Sequence, residues 1–173
     1  MRVARSIGGW MVALGAVAAA QAAPEGRFGW LGLAPGQAGQ TLQQVEAALG
    51  APLLPAQPAP KDPAACHLRS SAAQPGVVFV VDQGVVKRME TRDARYLTLS
   101  GLRVGDAVTK VRQVYGARLS VRPHAYFERG LVLAVYSPDR QFALVMESND
   151  AGRIVTLRGG MLPAVEFLEG CSG

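Results

Sequence analysis

The chain has 173 residues, 49% of them hydrophobic and 18% charged, which excludes a disordered polymer and places it among globular proteins. Its formal charge of +5 comes with only two histidines and two cysteines. Paired-histidine metalloprotease spacing, phosphate loops and dinucleotide fingerprints are missing, so those chemistries are excluded.

The chain opens with Arg2 and Arg5, then the apolar stretch Trp10 to Ala20, then small residues in Ala20-Gln21-Ala22. This order predicts a secretory signal peptide over residues 1–22. As a helix the apolar stretch reaches only about 16 Å, half of a hydrocarbon core, so a membrane anchor is not expected. Neither cysteine stands at the cleavage site, which argues against a lipid-anchored form. Residues 23–173 are expected to form a single domain, periplasmic or secreted.

Two short helices are predicted. The first starts at Thr41, where Gln44 three residues on completes a capping box; Leu42, Val45 and Leu49 form its apolar stripe. The second starts at Asp106 as N-cap, with Val108, Val111, Val114 and Tyr115 inward. Gly50 and Gly116 suit the left-handed position past each helix end. The segments Gly39–Ala51 and Gly105–Ala117 align at a constant offset of 66. Two repeats are therefore expected, about 33–99 and 100–158, followed by a C-terminal tail.

After the first helix Pro52, Pro55, Pro58, Pro60 and Pro63 predict an extended surface connection. Val77–Val81 and Val85–Met89 read as a hairpin around Asp82-Gln83-Gly84, and Tyr96–Leu99 as a third strand. A second set of strands is predicted at Ala125–Glu128, Leu131–Tyr136, Phe142–Glu147 and Arg153–Leu157. The expected fold class is α+β: an antiparallel sheet with short helices on one face, built from two tandem helix–strand repeats. Val77–Val81 and Leu131–Val135 are apolar at every position, so both of their faces need cover. Two short helices shield one face. The other is expected to carry an apolar patch, unless the proline-rich segment and the tail cover it.

Cys66 and Cys171 most simply form one disulfide in an oxidising compartment. The charge is concentrated in the middle: Lys87, Arg88, Arg92, Arg95, Arg103, Lys110, Arg112, Arg118 and Arg122 stand against only Glu90, Asp93 and Asp106. Such a segment suits an acidic envelope protein, a lipid surface or a wall polymer; an exported protein seldom meets nucleic acid. The candidate interaction surface is the predicted patch rimmed by Arg88, Arg92 and Arg95, together with Tyr96, Tyr126 and Tyr136. His124, Tyr126 and Glu128 would share one polar strand face, and Glu166 and Glu169 are read as exposed. Ser70, Ser71 and Ser137 lack a nucleophile elbow. No catalytic residue, metal ligand or cofactor is assigned.

The glycine–helix–glycine pattern at Gly39–Gly50 and Gly105–Gly116, with Val45-x-x-x-Leu49-Gly50 and Val111-x-x-x-Tyr115-Gly116, resembles a superfamily of small exported proteins. That superfamily is typified by BamE (SmpA)-like lipoproteins and by β-lactamase-inhibitory-protein-like tandem repeats. The resemblance implies an exported, non-enzymatic module that binds another protein. The alternatives are a binder of small ligands or cell-surface polymers, and a small hydrolase. The sequence does not set an oligomeric state.

Overall fold

The computed structural model describes residues 26–56, 58, 61–62 and 64–171. The predicted signal peptide, Pro60 and Pro63 lie outside these residues. In chain order the first half holds β1 (Arg27–Gly29), β2 (Gly32–Leu33), α1 (Leu42–Leu49), β3 (Leu54–Pro55), β4 (His67–Ser70), β5 (Val77–Asp82), β6 (Val85–Thr91) and β7 (Leu97–Thr98). The second half holds α2 (Val108–Tyr115), β8 (Ser120–Pro123), β9 (Leu131–Tyr136), β10 (Phe142–Ser148) and β11 (Ile154–Met161).

The fold is mostly β, which corrects the α+β expectation. One sheet has eight antiparallel strands in the order β3-β4-β5-β6-β11-β10-β9-β8, and a second has three in the order β2-β1-β7. The helices are eight residues each. The tandem helix–strand repeats are not found: strands following both helices run on into one continuous sheet through the β6–β11 pairing, and among the described residues the small sheet has no second counterpart. The glycine match at Gly84 and Gly152 does not carry a common turn. Gln83 and Gly84 make a two-residue turn with φ of 52° and 71°, whereas Asn149–Gly152 is a longer turn beside a bulge at Glu147/Ser148.

Local signals otherwise hold where they are dense. Thr41 Oγ1 accepts from the Gln44 amide at 3.2 Å and Gln44 Oε1 accepts from the Thr41 amide at 2.9 Å, so the predicted capping box is present. The start of α2 differs. Ala107 is its N-cap, and Asp106 instead accepts from the Arg103 amide and pairs with Lys110 one turn on. The strand predicted at Ala125–Glu128 is a loop; the pairing strand is β8, which lies just before it.

The main core lies between the large sheet and the layer formed by the helices and the small sheet. It holds Phe28, Leu33, Val45, Phe79, Val81, Met89, Val111, Leu133, Val135, Met146 and Leu157. The small sheet reaches β11 at Gly159, where an added Cβ would lie 2.3 Å from the Gly29 carbonyl oxygen; only glycine allows that approach. The opposite face carries a second cluster of Val132, Ala134, Ala143, Val145 and Val165. Its cover is the chain's own tail. Residues Leu162–Cys171 cross that face as a strap, with one 3₁₀ turn at Ala164–Glu166. The Cys66–Cys171 disulfide is formed, with Cα atoms 5.4 Å apart, and fixes the strap's end beside the start of β4.

Candidate functional site

The strap face begins with an uncommon choice for a central strand. Arg88 in β6 and Arg158 in β11 project to the side opposite the main core and are 0% and 1% exposed. A buried guanidinium must keep its donors occupied, because each unpaired polar group taken from water is costly. The strap's backbone supplies acceptors for the Nη1 groups, while the Nε of each arginine is buried without a hydrogen-bond partner. Arg88 Nη1 donates to the Ala164 carbonyl at 2.9 Å and to that of Phe167; Arg158 Nη1 donates to the Val165 and Phe167 carbonyls. Arg122 Nη2 donates to the Glu166 carbonyl at 3.1 Å.

Carboxylates balance the two buried cations. Arg88 pairs with Glu90 at 2.9 Å, and Arg158 pairs with Glu147. Burial, then repulsion from Arg88, holds Arg158 down to about 10, which still leaves it charged at neutral pH. Arg88 is lowered from the usual arginine range, chiefly by burial. Two tyrosines complete the grip: Tyr136 donates to Glu166 Oε1 at 2.5 Å, and Tyr126 donates to Glu169. Val165, fully buried, fills the apolar socket between these polar contacts.

His124 closes one end of this face. Its Nδ1 accepts from the Tyr126 amide at 3.0 Å and the Phe127 amide at 3.3 Å, so the proton sits on Nε2, 3.7 Å from Glu147 Oε2. Glu147 is already committed to Arg158. Burial, and then the charges of Arg158 and Arg122, push the His124 pKa below its ordinary value; Asp150 opposes them. Next to it is an open cleft of about 530 Å³, lined by Glu90, Arg92, His124, Tyr126, Glu147 and Glu169 among others. Among the described residues no three His, Cys, Asp or Glu side chains gather as a metal site.

This geometry has a pH consequence. Below about pH 6.5 the unfolded chain takes up a proton on His124 that the folded chain resists, so stability falls as pH drops through that window. The lowered carboxylates Asp93, Asp106 and Asp139 titrate below it. Urea unfolding at pH 7.5 and 5.5 is expected to show the loss in the wild type. His124→Asn, which keeps an acceptor for the two amides, is expected to flatten it.

The predicted patch on this face is not exposed, because Val77–Val81 and Leu131–Val135 are covered on both sides. The six predicted interaction residues divide accordingly. Arg88, Tyr126 and Tyr136 do come together, but on the chain's own acidic tail. Arg92 is exposed and lines the adjoining cleft. Arg95 and Tyr96 lie elsewhere: Arg95 pairs with Asp93, and Tyr96 donates to the Pro75 carbonyl at 2.8 Å while its ring enters the main core. Glu166 is half-buried and engaged rather than exposed, and Glu169 is exposed but bound. Sequence reasoning missed Arg158, Glu147 and Arg122. The available signal was a tail whose acids, Glu166 and Glu169, alternate with Val165, Phe167 and Leu168 up to a cysteine.

A different corner holds exposed apolar surface. Trp30, at the tip of the β1–β2 hairpin, is 37% exposed, and Leu99, just after β7, is 72% exposed. They flank a notch of about 130 Å³ with Tyr115 and Arg118. The Arg118 guanidinium lies 5.9 Å over the Tyr115 ring, and Val114 on α2 is also exposed. Compared with family models, curated proteins and solved structures, the chain gives no match.

Proposed function

We propose that this is an exported, non-catalytic binding module of the bacterial cell envelope, and that it engages a protein partner through the Trp30–Leu99 corner. The carrying observation is that corner itself: a large aromatic and a nearly free leucine around a notch, with Arg118 at its edge. Tryptophan and arginine dominate the energetics of protein interfaces out of proportion to their number. An arginine at the rim favours an acidic partner. Export is supported by the N-terminal pattern of Arg2, Arg5 and Trp10–Ala22, and by the Cys66–Cys171 disulfide, which suits an oxidising compartment. No helix among the described residues is long and apolar enough to cross a membrane.

The test is binding measured against the partner isolated from envelope extract on the wild-type protein. Trp30→Ala is expected to weaken the complex about 30-fold, the size of an interface hot spot of about 2 kcal/mol. Arg118→Glu is expected to slow association and make it less sensitive to salt, with little change in thermal stability. If both variants bind as the wild type does, the corner is not the interface.

A second reading has one observation behind it. Tyr126, 66% exposed, stands at the mouth of the 530 Å³ cleft beside Arg92, Glu90 and Glu169, an arrangement of ring, cation and carboxylates that suits a polar polymer such as a glycan. Saturable binding of cell-wall or lipopolysaccharide fragments, lost in Tyr126→Ala, would favour it.

A further inference from the structure

We infer that the sheet face beneath the strap is a binding site for an extended peptide of alternating apolar and acidic residues. In this structure it is occupied by the chain's own C-terminal segment and latched by Cys66–Cys171. The inference is independent of the Trp30–Leu99 corner. It starts from the manner in which the strap is held.

An ordinary chain terminus joins a sheet by a ladder of backbone hydrogen bonds or covers it with apolar side chains. This strap lacks the ladder and covers the face with Val165, flanked by Leu162 and Leu168. Among the described residues its Leu162 amide donates to the Gln141 carbonyl, and its only other amide bond, Glu166 to the Pro163 carbonyl, is internal. The remaining grip comes from side chains of the sheet reaching up. Arg88, Arg158 and Arg122 take four backbone carbonyls, which any peptide presents. Val165 enters the apolar socket, and Tyr136 and Tyr126 meet the carboxylates of Glu166 and Glu169. Backbone capture combined with side-chain pockets at intervals is how proteins recognise extended peptides.

The face also fits its occupant by charge. Lifting the strap would uncover Arg88 and Arg158, both fully buried in its presence, next to Val132, Ala134 and Val145. Glu90 and Glu147 balance those two, so the floor's net positive charge comes from the neighbouring Arg122 and Arg92, and with the apolar residues it complements a segment like Val165-Glu166-Phe167-Leu168-Glu169. While the disulfide is closed the strap is tethered at both ends, and its high effective concentration keeps a competitor out unless the strap's own contacts are weakened. A dithiol donor opens it by exchange: the Cys66–Cys171 bond breaks into two thiols, taking two electrons and two protons, and the donor's sulfurs join as a disulfide. The strap then stays attached only through β11 and can be displaced.

The experiment uses the full chain, oxidised or reduced with dithiothreitol, and a fluorescein-labelled synthetic peptide with the sequence of residues 161–170. Fluorescence anisotropy is expected to show saturable binding to the reduced protein and at least tenfold weaker binding to the oxidised one. A probe carrying lysine in place of both glutamates is expected to bind at least tenfold less well than the native sequence. Near-ultraviolet circular dichroism reports whether the reduced protein keeps its fold. Should reduction unfold it, the decision passes to the oxidised Glu166→Lys/Glu169→Lys protein, whose strap is loosened in place and is expected to admit the native probe. Failure of the folded, open form to bind the probe overturns the inference, as does equal binding by a scrambled peptide or by the wild-type oxidised protein.

Discussion

Replacing Arg158 with methionine is expected to lower the free energy of unfolding by about 3–5 kcal/mol, the cost of leaving a buried charge without its partner. Methionine fills similar volume, so little of the loss comes from a cavity. What remains is Glu147, 7% exposed and facing His124 with no cation beside it, and a Val165–Phe167 backbone deprived of a donor. Adding Glu147→Gln is expected to recover part of the loss, because it removes the stranded charge. Urea unfolding of the wild type, both single variants and the double variant gives the coupling directly. Additive losses would mean that the two side chains are not an ion pair in solution.

Cys66→Ser is expected to cost about 2–5 kcal/mol. The bond links residues 105 positions apart, so opening it returns a long loop's freedom to the unfolded chain. It also frees the strap end nearest to Cys66, and the grip on Glu169 by Tyr126 is expected to fray first. Limited chymotrypsin digestion is expected to cut after Phe167 and Leu168 faster in Cys66→Ser than in the wild type, while hydrogen exchange over β5, β10 and β11 is unchanged. If the variant melts at the wild-type temperature under non-reducing conditions, the disulfide carries no stability.

The parts of the fold that were legible in the sequence are those whose signal is local and dense. Thr41 and Gln44 announce a cap by themselves, and Asp82-Gln83-Gly84 between two valine-rich runs announces a hairpin. Of the small sheet only β7 was legible, inside the predicted strand Tyr96–Leu99; β1 and β2, with three and two residues, are too short for a period. Their pairing depends on docking against Gly159, a contact set by tertiary structure. Strand β11 runs four residues past its predicted end because Arg158, Gly159 and Gly160 look like loop residues until the strap and the small sheet are in place. Two matched helical patterns point toward α+β, but helices of eight residues each do not organise an eight-stranded sheet. Ala125–Glu128 failed for a related reason: His124 turns inward to cap the following amides and breaks the alternation.

The interaction residues show the same division. Arg88, Tyr126 and Tyr136 were expected on one interaction surface, and they do meet, on an acidic segment. That the acidic segment is the chain's own was not readable, because nothing in the order of residues 162–171 states which face they cross. The apolar runs correctly required cover on both sides, and over Leu131–Val135 the strap provides it. The exposed corner at Trp30 and Leu99 depends on the small sheet and was out of reach for the same reason as β1 and β2.

The most direct test of the proposed function places a photo-reactive benzoylphenylalanine at position 99 in the native envelope, with position 54 as control. Leu54 is 57% exposed on the edge strand β3 and is not part of the notch. After irradiation, position 99 is expected to give one dominant adduct of discrete mass and position 54 none. Equal labelling from both positions, or no adduct from position 99, would contradict the account.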